Sequence, residues 1–232
     1  MVVNQNGWIE LEKEVVNCRK CPRLVTWREE VAREKRKAYS DWEYWGKPVP
    51  GFGDFKAQVL VVGLAPGAHG SNRTGRMFTG DSSGDFLYPA LFTAGFANQP
   101  NAIDRNDGLQ LRDMFISAVC RCVPPGNKPK ADEIANCLPY LESEIDLLSE
   151  LRVIVALGRI AFDQTLRMYR QRTGEKLRFD FKHLGVYQLG DDLPWLISSY
   201  HPSRQNTQTG RLTENMFAKV WSTVNEILPD GI

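Results

Sequence analysis

One stretch constrains this chain most: the apolar run Val59-Leu60-Val61-Val62, broken at Gly63, and the loop from there to Asp81. A β-branched run without polar alternation is the pattern of a strand buried on both faces. Between Gly63 and Gly80, five glycines, one proline and small polar residues build a loop whose backbone can approach a ligand closely. Open α/β sheets bind their ligands in loops at the carboxyl ends of such strands. This loop also carries two arginines, a histidine, an aromatic and, at its end, an acid.

The remaining chain supplies a matching scaffold. Further buried strands are expected at 114–119, 152–157 and 195–199, with a short edge strand at 185–189. Apolar residues at helical spacing predict helices over 8–16, 24–37, 85–94, 131–148, 160–172 and 212–228. Strands alternating with helices imply an α/β fold, a three-layer α/β/α sandwich whose central sheet is mostly parallel and has about four strands. The aromatic, Pro/Gly-rich connector from Trp42 to Gly53 has no clear period. A length of 232 residues, without repeats, suits a single domain over 1–232. The net charge of +1 excludes recognition of nucleic acid by a general basic field and leaves only a local patch. Met1 to Glu14 does not read as a secretory signal, and no apolar run approaches the roughly 20 residues that span a bilayer. The expected setting is cytoplasmic, with no membrane partner.

Five cysteines is an odd number, and in a reducing compartment they make a poor disulfide framework. Cys18 and Cys21 are two residues apart, and Cys122 and Cys137 form a second pair with 14 residues between them. Four thiolates suit either an iron–sulfur cluster or a structural zinc, and composition does not separate the two. Cys120 is left over, as a small core residue. Because the Cys-x-x-Cys lies far from the glycine loop, the four thiolates are expected to clamp the N-terminal segment onto the 120–140 region.

A second loop, Tyr200-His201-Pro202-Ser203-Arg204-Gln205-Asn206 and on to Arg211, follows the strand at 195–199. It should open on the same sheet edge as the first, which makes His201 a catalytic candidate. The runs GLAPGAHGSNRTGRMFTGD and HPSRQNTQTGRLT, together with the cysteine spacing, resemble the family 5 (type b) uracil-DNA glycosylases, the iron–sulfur branch of that superfamily. The likeness extends from about Cys18 to Leu228. It implies a 4Fe–4S cluster on Cys18, Cys21, Cys122 and Cys137, and a monomeric enzyme that removes deaminated bases from DNA.

Such an enzyme must extrude its base, and an aromatic slot replaces the lost stacking; Phe78 is the platform implied. Cleavage leaves a cationic sugar and an anionic base. A donor is needed where the oxygen charge develops, which suits His201 with backbone N–H groups of the 64–68 turn. The base pocket would comprise Gly63, Leu64, Ala65, Gly67, Ala68, Phe78, Asn127 and His201. Many relatives keep an acid or amide just after the first glycine, where this chain has Leu64 and Ala65. Family 5 shares that departure, and Asp81 is the substitute for positioning water, although an acid there also suits a helix N-cap. Asn127, after a Pro-Pro-Gly turn, is placed against the base edge. Strict uracil enzymes put a tyrosine where this chain has Gly67, so a roomier pocket is expected, open to bases such as hypoxanthine. Arg73, Arg76, Arg204 and Arg211, with Ser203, are assigned to phosphates, and Gln205 and Asn206 to the gap left by the base. Two alternatives compete. A nucleotide-binding loop fails for want of a P-loop or Rossmann spacing. An iron–sulfur redox or sensor protein that binds nucleic acid without cleaving it is the other.

Overall fold

The computed structural model describes residues 4–228. Its centre is a six-stranded sheet in the order β1-β3-β2-β4-β6-β5. Four strands are parallel: β2 (Val59–Gly63), β3 (Met114–Ala118), β4 (Val153–Leu157) and β6 (Trp195–Ser199). These are the four expected buried strands. Two antiparallel edges enlarge the sheet: β5 (Gly185–Gln188), expected from the pattern, and the two-residue β1 (Phe52–Gly53), which the aromatic connector concealed.

Side chains alternate across the sheet and so divide the core in two. Val59, Val61, Ile116, Val155 and Ile197 face helices α4 (Gly84–Thr93) and α8 (Glu214–Ile227). Leu60, Val62, Phe115, Ile154 and Leu196 face α5 (Ala131–Leu147) and α6 (Arg159–Thr173), with Trp8 of α1 (Gln5–Val16) beside them. The three layers follow from that alternation. Local signals set several helix starts: Asn4, Ser203 and Thr213 accept from the first turns of α1, α7 (Arg204–Gln208) and α8, and Glu133 reaches back to the Lys130 amide before α5. Two short helices escaped the sequence pattern: α3 (Ser71–Thr74) within the glycine loop and α7 after His201. Each spans too few residues to show a helical period.

From β2 the chain moves out to β3 on one side and returns to β4 and β6 on the other. The carboxyl end of β2 therefore lies where the strand order reverses, the place at which such sheets open a ligand crevice. No helix among the described residues is long and apolar enough to cross a membrane.

Candidate active site

The tips of β2 and β6 frame a cavity of about 860 Å³. Gly63, Leu64, Ala65, Gly67, Ala68, Phe78, Asp81, Asn127 and His201 all line it, with Ser203, Arg204 and Gln205 from the second loop. The backbone of Phe78 is left-handed at φ 51°, and its ring lies 5.8 Å from the His201 ring at 29° to it. Gly63 permits this placement: a Cβ there would come within 2.8 Å of the Phe78 ring. The buried ring thus lies directly over the end of the strand. The amides of Ala65, Gly67 and Ala68 donate to no protein acceptor among the described residues and remain free for a ligand.

Asp81 serves two purposes with two oxygens. Oδ1 accepts from the amides of Ser83 and Gly84, at 3.0 and 3.2 Å, and so caps the start of α4. Oδ2 occupies the space vacated by two glycines, since a Cβ would meet it at 2.8 Å on Gly67 and 2.0 Å on Gly70. Burial raises the carboxyl above its ordinary range, against the lowering effect of the two amides. Gly67 therefore makes room for Asp81. A large side chain at 67 and an acid at 81 would compete for one volume.

Burial alone drives His201 down to about 4, so its imidazole is neutral near pH 7 and offers one N–H donor. The side-chain amide of Asn206 donates to the His201 carbonyl at 2.8 Å, and the Asn206 backbone carbonyl accepts from the Leu212 amide. This corrects the expectation for Asn206: its side chain braces the histidine loop and is not free to enter a duplex. Asn127, at φ 57°, is exposed at the rim. Gln205 and Arg204 are exposed there too, and the Arg211 guanidinium lies over the Tyr200 ring, 4.7 Å from its centre.

A second correction concerns Arg73 and Arg76, which were assigned to phosphates. Both are buried, at 3% and 4% exposure. Arg73 donates to the carbonyls of His69 and Gly80 and packs against the edge-to-face pair Tyr39 and Trp42, each ring centre 4.0 Å away. Arg76 forms a two-pronged pair with Asp107, at 2.8 and 2.7 Å. Burial would raise Asp107, but the Arg76 bonds and the Leu109 and Ile103 amides outweigh it and hold the acid at about 2. These arginines close the glycine loop on itself. Among the cavity residues to which the sequence assigns no role are Arg36, Tyr39 and His69. The Tyr44 hydroxyl lies 3.1 Å from His69 Nδ1, and burial beside Arg36 and Arg73 lowers that imidazole. His69 was legible as a titratable group in the glycine loop, whereas Arg36 falls at the end of the helix expected over 24–37 and Tyr39 between that helix and the connector, neither near the loop in sequence.

Away from this cavity, Cys18, Cys21, Cys122 and Cys137 line one small pocket, none of them in a disulfide. Nitrogen donors surround the sulfurs: Arg28 Nη1 at 3.0 Å from Cys122, the Arg121 amide at 3.2 Å from Cys137 and Asn136 Nδ2 at 3.6 Å from Cys21. Cys120 is fully buried. Among the described residues, no three His, Cys, Asp or Glu side chains are grouped closely enough to share a single ion.

A doubly flanked, mostly parallel sheet that gathers an acid, a neutral imidazole and an aromatic floor at its strand tips defines an α/β enzyme with a slot for a flat ligand. A model of the uracil DNA glycosylase superfamily matches residues 50–225, and the chain belongs to that superfamily. It is 52% identical to a type-5 uracil-DNA glycosylase of Thermus thermophilus, over 88% of this chain and 90% of that one. With a type-5 enzyme of Mycobacterium leprae it shares 50% identity over 94% of each chain. A type-4 uracil-DNA glycosylase of Sulfurisphaera tokodaii is more distant, 28% identical over 91% of this chain and 82% of the other.

Proposed function

We propose that this protein is a monofunctional DNA glycosylase of base excision repair, which hydrolyses the bond between deoxyribose and uracil and leaves an abasic site. The observation that carries the reading is the single cavity holding Phe78, Asp81, Asn127, His201 and three free backbone amides. The Phe78 ring replaces the stacking that an everted base loses, an effect of about 1–3 kcal/mol. As the glycosidic bond breaks, negative charge grows on the base oxygen. His201 is neutral, so its N–H can approach that oxygen without first losing a proton, and the amides of the 65–68 turn add fixed dipoles. Asp81 Oδ2 is held by the rigid Oδ1 cap and is available to orient the attacking water toward the sugar cation. Asn127 at the rim has donor and acceptor atoms for the base edge.

Gly67 sets the range of bases. With no wall at this position, the pocket should accept hypoxanthine and other deaminated bases as well as uracil. Arg204, Gln205 and Arg211 are exposed beside the mouth and suited to the DNA backbone, with Ser203 at the start of α7. The protein works as a monomer and a single domain.

A 4Fe–4S cluster on Cys18, Cys21, Cys122 and Cys137 fits the nest of sulfurs. The donor set is entirely thiol, and nitrogen donors ring it. When bound, the cluster supplies a covalent tie between the segment before α2 (Pro22–Glu34) and the 122–137 region. Neither sulfur pair approaches the base cavity, so its task is structural.

A labelled duplex carrying one uracil, treated with protein and then alkali, should break at the lesion. Unbroken DNA that is nonetheless bound would favour the non-catalytic iron–sulfur alternative. A panel containing hypoxanthine tests the range, and release of uracil alone would defeat the pocket argument.

A further inference from the structure

Among the described residues, Arg28 has no adequate counter-charge. It sits on α2, about two turns beyond the Cys-x-x-Cys, with its side chain 3% exposed. The nearest carboxylate, Glu29, is 3.8 Å away, half-exposed, and already bonded to Arg19. What the guanidinium touches instead is the cysteine nest: Nη1 donates to Cys122 Sγ at 3.0 Å and to the Cys18 carbonyl at 3.2 Å. Its Nε is buried without any partner. A buried charge lacking an opposite charge is costly enough that folded proteins rarely retain one. The missing anion must therefore lie on the side that Arg28 faces. Two other cations line the sulfur pocket, but Arg121 is already paired with Glu144 at 2.6 Å, and Lys20 is exposed to solvent over the Tyr140 ring.

We infer that Arg28 is the internal counter-cation of the group held by the four cysteines and secures that group by charge. The inference rests on the iron–sulfur reading above. A cluster on four thiolates carries net negative charge, and one buried arginine against it converts two costly burials into a pair. The same residue extends the tie to the active-site loop, because its backbone carbonyl accepts from Asn72 Nδ2 at 3.2 Å and Asn72 in turn binds the Gly67 carbonyl.

The test is the rate at which an iron chelator bleaches the visible absorption of the intact holoprotein, compared in wild type, Arg28→Gln and Arg28→Lys, with the exposed Arg33→Gln as control. Gln keeps a donor for Cys122 but loses the charge, whereas Lys keeps the charge. Bleaching should quicken by about tenfold or more in Arg28→Gln, the scale of lost outer-sphere support for a metal site, and stay near the wild-type rate in Arg28→Lys and Arg33→Gln. If Arg28→Gln bleaches as slowly as wild type, the charge is not needed and the inference falls. If Arg28→Lys bleaches as fast as Arg28→Gln, shape and not charge is what matters, and it falls equally. Wild-type protein that holds no iron or sulfide after anaerobic preparation overturns the cofactor reading itself, a result distinct from both.

Discussion

The two loops that frame the cavity are built on opposite plans. The glycine loop, 63–81, turns its arginines inward: Arg73 and Arg76 are buried, pinned to carbonyls, rings and Asp107. The histidine loop, 200–211, leaves Arg204 and Arg211 in solvent and fixes only His201, by way of Asn206. One loop is a mould and the other a handle. The contrast teaches that an arginine beside a DNA-binding mouth has no fixed meaning. In the first loop the guanidinium acts as a multi-pronged internal clamp, and in the second it is free to meet phosphate.

Substitutions in the two loops should therefore fail in different ways. The largest loss belongs to Asp81. Asp81→Asn should lower single-turnover uracil release by about 10²–10⁴-fold while leaving DNA binding near normal. Its pH profile sharpens this. Since burial raises Asp81 and lowers His201 to about 4, the acid limb of the rate belongs to Asp81 and should lie above the ordinary carboxylate range. A carboxyl whose folded value is raised favours the fold below its unfolded value and loses that contribution as pH rises. Asp81→Asn, which keeps an oxygen for the Ser83 and Gly84 amides, should accordingly melt slightly higher than wild type at pH 8. A lower melting point there would show that the carboxylate serves mainly as a cap.

Next comes His201→Ala, expected to cost about 10²–10³-fold in the chemical step, the usual effect of losing one donor to a developing oxyanion. Smaller in catalysis but large in stability is Arg76→Ala. Breaking a buried pair costs about 3–5 kcal/mol, seen as a fall in melting temperature at pH 7. Asp107, held at about 2, contributes stability that is intact above the unfolded carboxylate value near 3.8 and lost as pH falls toward 2. The deficit of Arg76→Ala should therefore shrink in acid. Arg204→Ala or Arg211→Ala should do the reverse, leaving the melting point unchanged while reducing the salt slope of DNA binding by about one unit each. If Arg76→Ala melted normally and only bound DNA less well, the distinction between mould and handle would be lost.

Much of this was legible in the residues. The four parallel strands and the long helices follow from β-branched runs and helical spacing, and the two loops follow from where those runs end. Period-based reading fails where an element is too short to have a period, hence β1, α3 and α7. It also fails where charge and burial disagree. The sequence reads Arg73 as a cation for phosphate, but the rings that receive it lie where no period marks them, at Tyr39 just before the connector and at Trp42 where it begins. The division of labour between the two oxygens of Asp81 was hidden for a related reason. Both a water-orienting acid and a helix cap were readable at position 81; the structure gives the cap to Oδ1 and leaves Oδ2 in the space beside Gly67 and Gly70.

The bare α-carbon at Gly63 has a consequence for molecular evolution in this lineage. With Phe78 lying on it, the depth of the slot is governed by the strand terminus beneath, so one added methyl would lift the platform as a shim lifts a shelf. Purines would be turned away before pyrimidines, and the repertoire could narrow without any change to the groups that perform the hydrolysis.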